Sequence, residues 1–210
     1  ESIYQQILQS HPDQPIALHL LGVIAHQKGR NDAAFDLITR ALAINSNLAE
    51  AHSNLGLVLY DLGRWDEAVA SCRKALALKP DYAEAHNNAG NALRELGKLD
   101  EAVASYQKAL RLKPDSTKAH NNLSNAFREL GRLEEAVTHC KKSLSLKPDS
   151  TEAHNNLGNA LKALGRPEDA VASYHKAISL KPDYAEAHNN LGNALKELNK
   201  FEEAEASYQE

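Results

Sequence analysis

The residues that could do chemistry recur at a fixed interval. His52, His86, His120, His154 and His188 stand 34 positions apart, and neutral imidazole is the commonest metal ligand in proteins. The interval argues against a shared metal. One histidine per structural unit separates neighbours by about a helix diameter, ~8–10 Å, whereas the ligands of one zinc ion lie ~2 Å from it. The histidines are therefore expected to pack against a partner helix, and no metal or other cofactor is expected. Cys72 and Cys140 share a column with Tyr106, Tyr174 and Tyr208, on an apolar stripe two units apart. A bridge needs Cα atoms within ~7 Å, which that separation forbids. Buried free thiols are expected, and with them a reducing, cytoplasmic location.

No Gly-rich phosphate loop, no Ser/His/Asp set outside the repeated columns and no carboxylate pair suited to acid–base work occurs, so no catalytic activity is expected. Asn122-Leu123-Ser124 fits a glycosylation acceptor, but in mid-helix it is expected to be fortuitous.

What remains is an array of amides. Asn54, Asn88, Asn122, Asn156 and Asn190 form one column. Asn91, Asn125, Asn159 and Asn193 form a second, one helical turn further along the same face. Asn87, Asn121, Asn155 and Asn189 lie beside them. Asn is a poor helix former, so several in one short helix need a reason. A side-chain amide holds both a donor and an acceptor, and can bond the C=O and N–H of an extended peptide together. Such rows would anchor a polypeptide with little demand on its sequence. Two other readings stay open: the amides bond each other or adjacent turns and tie units together, or they are repeat drift without a role. One turn beyond stand Arg94, Arg128, Lys162 and Lys196, with Glu95, Glu129 and Glu197 close by. These basic residues would select acidic side chains on a ligand, or else form a solvated helix end of mixed charge.

The elements that must position these side chains follow from the repeat. Ala83–Ser116 reads AEAHNNAGNALRELGKLDEAVASYQKALRLKPDS, and the same text returns at Thr117–Ser150 and Thr151–Tyr184, more loosely at Ala49–Tyr82 and Pro15–Leu48. A further copy starts at Ala185, and residues 1–14 match the second half of a preceding one. The chain therefore reads as a single array over 1–210, with repeats at 15–48, 49–82, 83–116, 117–150 and 151–184 and a partial one at 185–210. Its opening residues read as the interior of a helix, which suggests a fragment.

Each unit decodes into two helices. Ala85, Ala89, Ala92, Leu93 and Leu96 recur at three- and four-residue steps, an amphipathic stripe, and Gly97 ends that helix. Leu99, Ala102, Val103, Tyr106, Ala109 and Leu110 mark the second, which stops at Lys113-Pro114. Asn47, Asp81, Asp149 and Asp183 each precede a Glu by three residues, which predicts capping boxes. Second helices open on acids and close on lysines, complementing the helix dipole. Pro167 falls in a first turn, where its missing N–H costs little. Gly90, Gly158 and Gly192 are expected to let the two helices of one unit touch, with Ala68, Ala102, Ala136, Ala170 and Ala204 doing so from the partner helix. One hairpin cannot bury its apolar face alone, so the units must stack.

Composition agrees. With 42% hydrophobic residues, 25% charged and a net charge of -4, the chain lacks the basic excess of a nucleic-acid or membrane-surface binder. No run of 18 or more apolar residues occurs. Aromatics are only 5%, so small residues must let helices approach.

The 34-residue unit, with Gly90, Ala102, Tyr106, Ala109 and Pro114 in their columns, resembles the tetratricopeptide repeat over the entire chain. The resemblance implies an all-α, right-handed superhelical solenoid of antiparallel helix pairs, its inner face lined by first helices. The first helices at 153–161 and 187–195 are also similar to the repeat arm of O-linked N-acetylglucosamine transferases and their bacterial relatives, as is the segment Ala17–Val23 to the entry repeat of the bacterial ones. In those enzymes an asparagine ladder recognises protein substrates and a separate domain carries the chemistry. Chaperone-binding family members hold a C-terminal carboxylate with basic residues on early turns; here those columns carry Asn87, Asn121 and Asn155, or Glu84, Glu152 and Glu186, so that clamp is missing. The expected role is a scaffold for extended proteins or peptides, the alternatives being a glycosyltransferase arm without its catalytic domain or an assembly scaffold. For the last, Leu191, Leu195 and Leu198 are expected to leave an apolar side uncovered and to invite end-to-end association.

Overall fold

The computed structural model describes residues 2–209, which form thirteen α-helices and no strand. The chain divides into two compact units, Glu1–Lys113 and Pro114–Glu210. The first holds α1 (Ser2–Ser10), α2 (Pro15–Gln27), α3 (Asn31–Ile44), α4 (Ala49–Asp61), α5 (Trp65–Leu78), α6 (Ala83–Glu95) and α7 (Leu99–Leu112). The second holds α8 (Thr117–Glu129), α9 (Leu133–Leu146), α10 (Thr151–Ala163), α11 (Pro167–Leu180), α12 (Ala185–Glu197) and α13 (Phe201–Gln209). Among the described residues no helix is long and apolar enough to cross a membrane.

Within each unit, first helices approach the next first helix at the backbone: α2 and α4, α4 and α6, α8 and α10, α10 and α12. The backbones of the second helices within each unit do not approach one another among the described residues. The hairpins therefore converge on their first-helix side and splay on the other, and both surfaces have consequences below.

The turns explain the even spacing. Gly97 adopts φ 71°; its N–H donates to the Arg94 carbonyl, and the Lys98 N–H to that of Leu93, both at 2.9 Å. This left-handed cap satisfies carbonyls that the helix end would leave orphaned. Asn199 takes the same place after α12, at φ 60°, a conformation that Asn tolerates better than most residues with a Cβ. At the other end of each first helix, the Nε2–H of the repeated histidine donates to a carbonyl six residues earlier. His52 bonds Ser46, His86 bonds Pro80, His120 bonds Pro114, His154 bonds Pro148 and His188 bonds Pro182, at 3.0, 3.1, 3.2, 2.9 and 2.8 Å. The histidines thus fasten the turn that leads into their own helix.

The expected capping boxes do not form. The N-cap residues are Leu48, Tyr82, Ser150 and Tyr184, one position after the Asn or Asp. Side chains cap α8 and α10, where Ser116 and Ser150 accept from the Ala119 and Ala153 N–H groups at 3.3 Å. The glutamates still serve the helix start. Glu50 is held below the ordinary carboxylate range first by its own backbone N–H and then by Lys79, as expected at the positive end of a helix.

Packing turns on the glycine column. A Cβ at Gly90 would stand 2.6 Å from Tyr106 Cε1 and one at Gly192 2.5 Å from Tyr208 Cε1. Gly158 is covered in the same way by Tyr174. At these three positions the glycine makes room for an aromatic ring lying on its helix; at Gly56 the space is filled by the Cys72 side chain and by the Ala68 carbonyl, 3.2 Å from where a Cβ would stand, and at Gly22 by Ile38. Ala68, Ala102, Ala136 and Ala170 are fully buried. Tyr106 and Tyr174 are the largest side chains with no exposure, and rings of this size each remove ~150–250 Å² from water. Where Ser124 replaces the glycine, Cys140 replaces the tyrosine, with Oγ and Sγ 2.8 Å apart. Cys72 and Cys140 are buried free thiols, and burial pushes them up to about 12 and about 11, so neither is a nucleophile near neutral pH. Leu191 and Leu195 are not uncovered, as the sequence suggested: α13 packs on α12 and leaves them 3% and 2% exposed.

Gly90→Ala should therefore cost ~1–3 kcal/mol in chemical denaturation. In a Tyr106→Cys background the added cost should shrink by ~1 kcal/mol or more. An undiminished cost would show that the ring is not what the glycine accommodates.

Candidate functional site

The amide columns divide by what their side chains touch. In the first column Asn54, Asn88 and Asn190 reach back to the preceding repeat. Asn54 Nδ2 donates to His19 Nε2 at 2.8 Å, Asn88 Nδ2 to Ser53 Oγ at 3.3 Å, and Asn190 Nδ2 to Asn155 Oδ1 at 3.1 Å. Asn155, 1% exposed, also donates to Glu186 Oε1 at 2.9 Å. Burial lowers the pKa of His19 and favours its neutral ring; because the Asn54 NH₂ group can only donate, Nε2 is the accepting nitrogen. Asn88 and Asn156 are buried, as are Asn87 and Asn121 of the neighbouring column, while Asn54, Asn122 and Asn190 are half-buried and Asn189 is exposed. Asn121 Oδ1 and Asn156 Nδ2, an acceptor and a donor in the register that pairs Asn155 with Asn190, are buried without partners.

The second column is built differently. Its members Asn91, Asn125, Asn159 and Asn193 are all half-buried. Tyr106, Tyr174 and Tyr208 donate their hydroxyls to Oδ1 of Asn91, Asn159 and Asn193 at 2.9, 2.8 and 2.9 Å. Each of these tyrosines is the ring that lies on the glycine one residue before its asparagine. Burial raises the Tyr174 pKa, so the hydroxyl stays a neutral donor. With Oδ1 engaged from beneath, an amide must turn its NH₂ group away from the core. The sequence signal for this pairing is an Asn followed 15 positions later by Tyr, at 91/106, 159/174 and 193/208; read as a column of core tyrosines, it hid a hydrogen bond.

The basic turn beyond is laced by short-range pairs. Arg94 lies 2.7 Å from Glu95, Arg128 4.0 Å from Glu129, and Lys162 3.7 Å from Glu197 of the next repeat. The same register joins His26 to Asp61 at 2.6 Å and the Tyr60 hydroxyl to Glu95 at 3.2 Å. Partly solvated pairs of this kind contribute ~0–1 kcal/mol each, so a ligand carboxylate can displace them at small cost. Lys196 is exposed.

One polar contact was not expected from the sequence. His139, where four other repeats carry Ser71, Ser105, Ser173 and Ser207 and the first complete one carries Leu37, places Nδ1 2.9 Å from Nδ1 of His120. Because His120 donates through Nε2 to Pro114, its Nδ1 accepts and His139 donates. The His139 ring also lies 5.5 Å from that of Phe127. Burial first, then His120, push His139 down to about 4. Among the described residues no group of three or more metal-ligating side chains comes together.

Sequence profiles of the tetratricopeptide repeat match residues 47–115, 87–151 and 139–172, and a TPR repeat profile matches 24–63 and 158–199. Among solved structures, the chain is similar to PilW, a widely conserved type IV pilus biogenesis factor, with a TM-score of 0.85 and 24% identity over 92% of this chain and 90% of that one. A thermophilic TPR protein of Thermus thermophilus superposes with a TM-score of 0.73 and 26% identity, over 87% and 99% of the two chains. YrrB, a TPR protein with an unusual peptide-binding site, gives 0.65 and 21% over 88% and 95%. No curated protein matches the chain.

The depressed His139 carries a pH signature. An imidazole that ionises at about 4 when folded and near ~6.5 when unfolded binds protons preferentially in the unfolded chain. Its contribution to stability is intact above ~6.5 and is lost as pH falls from there towards 4. Relative to His139→Ser, the native protein should lose about 1 kcal/mol between pH 7.5 and 4.5, the full linkage value being reduced by partial solvation. Parallel stability–pH curves for the two proteins would contradict this.

Proposed function

Because the chain is a tetratricopeptide repeat protein, we propose that it is an interaction scaffold that holds extended polypeptide segments along its first-helix surface. The observation that carries the proposal is the orientation of Asn159 and Asn193. Their Oδ1 atoms are taken by Tyr174 and Tyr208 at 2.8 and 2.9 Å, and both side chains are half-buried on successive first helices. The NH₂ groups are thereby aimed before any ligand arrives, which removes part of the ordering cost of binding. Each can donate to a main-chain carbonyl of an extended peptide. Asn91 stands in the same relation to Tyr106 in the first unit, and Asn125 occupies the column beside Cys140. Lys162, Lys196, Arg94 and Arg128, one turn on, would favour acidic side chains on the ligand. The convergence of first helices within each unit supports a concave surface there, and the peptide-binding site of YrrB is a precedent for such use of the fold.

In this reading Asn88, Asn156 and Asn190, with Asn54, Asn87, Asn121, Asn122, Asn155 and Asn189, divide between inter-repeat ties and the rim of the groove. The finer proposal, that the array is the substrate-recognition arm of an O-GlcNAc-transferase-like enzyme, draws support from the amide-to-amide bond between Asn190 and Asn155. A nucleotide-sugar-binding domain encoded beyond Glu210 would be required of it.

Peptides selected against the full chain from an unbiased display library test the main proposal. Asn159→Ala with Asn193→Ala should weaken the selected peptides at least about tenfold, the loss of one or two net hydrogen bonds, with helicity unchanged. Asn88→Ala should instead lower stability by ~1 kcal/mol and leave affinity nearly intact. Unaltered affinity in the double variant would remove the amide row from the mechanism.

A further inference from the structure

The splayed second helices leave grooves between them, floored by first helices. The groove between α3 and α5, over α4, is a cavity of about 460 Å³, within the range of small-molecule sites, ~300–1,000 Å³. Phe35, Leu42, Leu55 and Leu59 make its lining largely apolar. His52 also lines it, is only 7% exposed, and its Nδ1 is buried with no hydrogen-bond partner. The nearest hydrogen bonds leave Nδ1 unserved, while Thr39 and Lys74 stand elsewhere on the lining. His52 Nε2–H goes to the Ser46 carbonyl at 3.0 Å, and the nearby Ser71 hydroxyl donates to the His52 carbonyl at 2.9 Å. Since Nε2 carries the proton, Nδ1 of the neutral ring is an acceptor, and burial lowers the His52 pKa and preserves that state. An unsatisfied buried acceptor at the floor of an apolar cavity is unfavourable, and a ligand donor can satisfy it.

The chain itself shows what satisfies this atom. His120 is the counterpart of His52 two repeats on, and there His139, in the place of Ser71, offers a planar ring whose N–H meets His120 Nδ1 at 2.9 Å, the two ring centroids 5.2 Å apart. Neighbouring grooves also show why this one is open. Between α5 and α7, Arg73 bridges to Glu101 at 3.6 Å; here the equivalent of Arg73 is Thr39, and Glu67 is held by Arg64 through two bonds of 2.7 Å. The Arg64 guanidinium in turn lies 4.5 Å over the Phe35 ring, fixing one wall. The corresponding groove between α11 and α13, where His175 stands for Thr39, is about 140 Å³.

We infer that the α3–α5 groove binds a small planar heteroaromatic molecule bearing a ring N–H, which donates to His52 Nδ1 while its apolar edge packs on Phe35, Leu55 and Leu59. This site is on the opposite side of the hairpins from the amide row and does not depend on polypeptide binding there.

Indole and indene, which share a shape but differ in the N–H, test it directly. Titrated into the ¹⁵N-labelled full chain at pH 7.5, indole should shift the resonances of Leu55, Leu59 and the His52 imidazole, and should bind about tenfold more tightly than indene. Ser71→His, which copies the His139 arrangement, should fill the groove and cut indole affinity at least tenfold while leaving the melting temperature no lower. Thr39→Arg, which copies the Arg73 bridge, should weaken indole without touching His52. Equal affinities for indole and indene would overturn the inference, as would shifts absent from the groove or unchanged binding in both variants. Binding of N-acetyltryptophanamide in place of indole would also overturn it, in favour of a polypeptide side chain as occupant.

Discussion

A tyrosine ring laid on a glycine is the contact that joins core packing to the polar surface in three of the hairpins. At Gly90, Gly158 and Gly192 there is no room for a Cβ, and the ring that fills the space spans the two helices of one hairpin. The same geometry carries the phenol oxygen past the glycine to the next residue, an asparagine, in all three cases. Packing and polar organisation are therefore one interaction: burial of the ring stabilises the hairpin, and its hydroxyl orients an amide on the outer surface of the first helix. The repeat with Ser124 and Cys140 makes the logic visible. There the ring is missing, the serine hydroxyl meets a sulfur, and Asn125 has no tyrosine beneath it.

The two sides of the hairpins follow from the same asymmetry of size. Small residues bring first helices together, so polar side chains from neighbouring repeats meet and form ties such as Asn54 to His19 and Asn190 to Asn155. Second helices, held apart, expose grooves whose depth varies with the residues at each rim. Thr39, Arg73 and His175 occupy one column and leave three different surfaces, which is how a near-identical repeat acquires distinct sites.

Much of the fold was legible in the sequence because it rests on periodicity, which survives loss of detail. The all-α hairpins, the positive-φ glycine turn and the buried thiols all follow from columns that repeat without insertion. Local spacing was less reliable. Asp81 and Glu84 have the separation of a capping box, but the helix starts after Tyr82, since the preceding turn is closed by the histidine six residues on and needs no Asx cap. The candidate site was legible only as a set of residue types. Asn88 and Asn91 lie on one face of α6, yet one is sealed against Ser53 and the other stands over Tyr106. That difference is set by the neighbouring repeat and the partner helix, neither of which a single helix's pattern contains. His139 was missed because four other repeats hold serine in its column and the first complete one holds Leu37, so a histidine there leaves no period to read.

The central claim, that tyrosine-held amides receive a polypeptide main chain, can be tested most directly through the side-chain NH₂ resonances of Asn159 and Asn193 in ¹⁵N–¹H spectra of the labelled chain. On addition of a bound peptide, those two pairs should move downfield as they donate to carbonyls, while the Asn155 pair, already engaged with Glu186, stays in place. A bound peptide that leaves both NH₂ pairs where they were, and shifts groups elsewhere on the chain instead, would contradict the account.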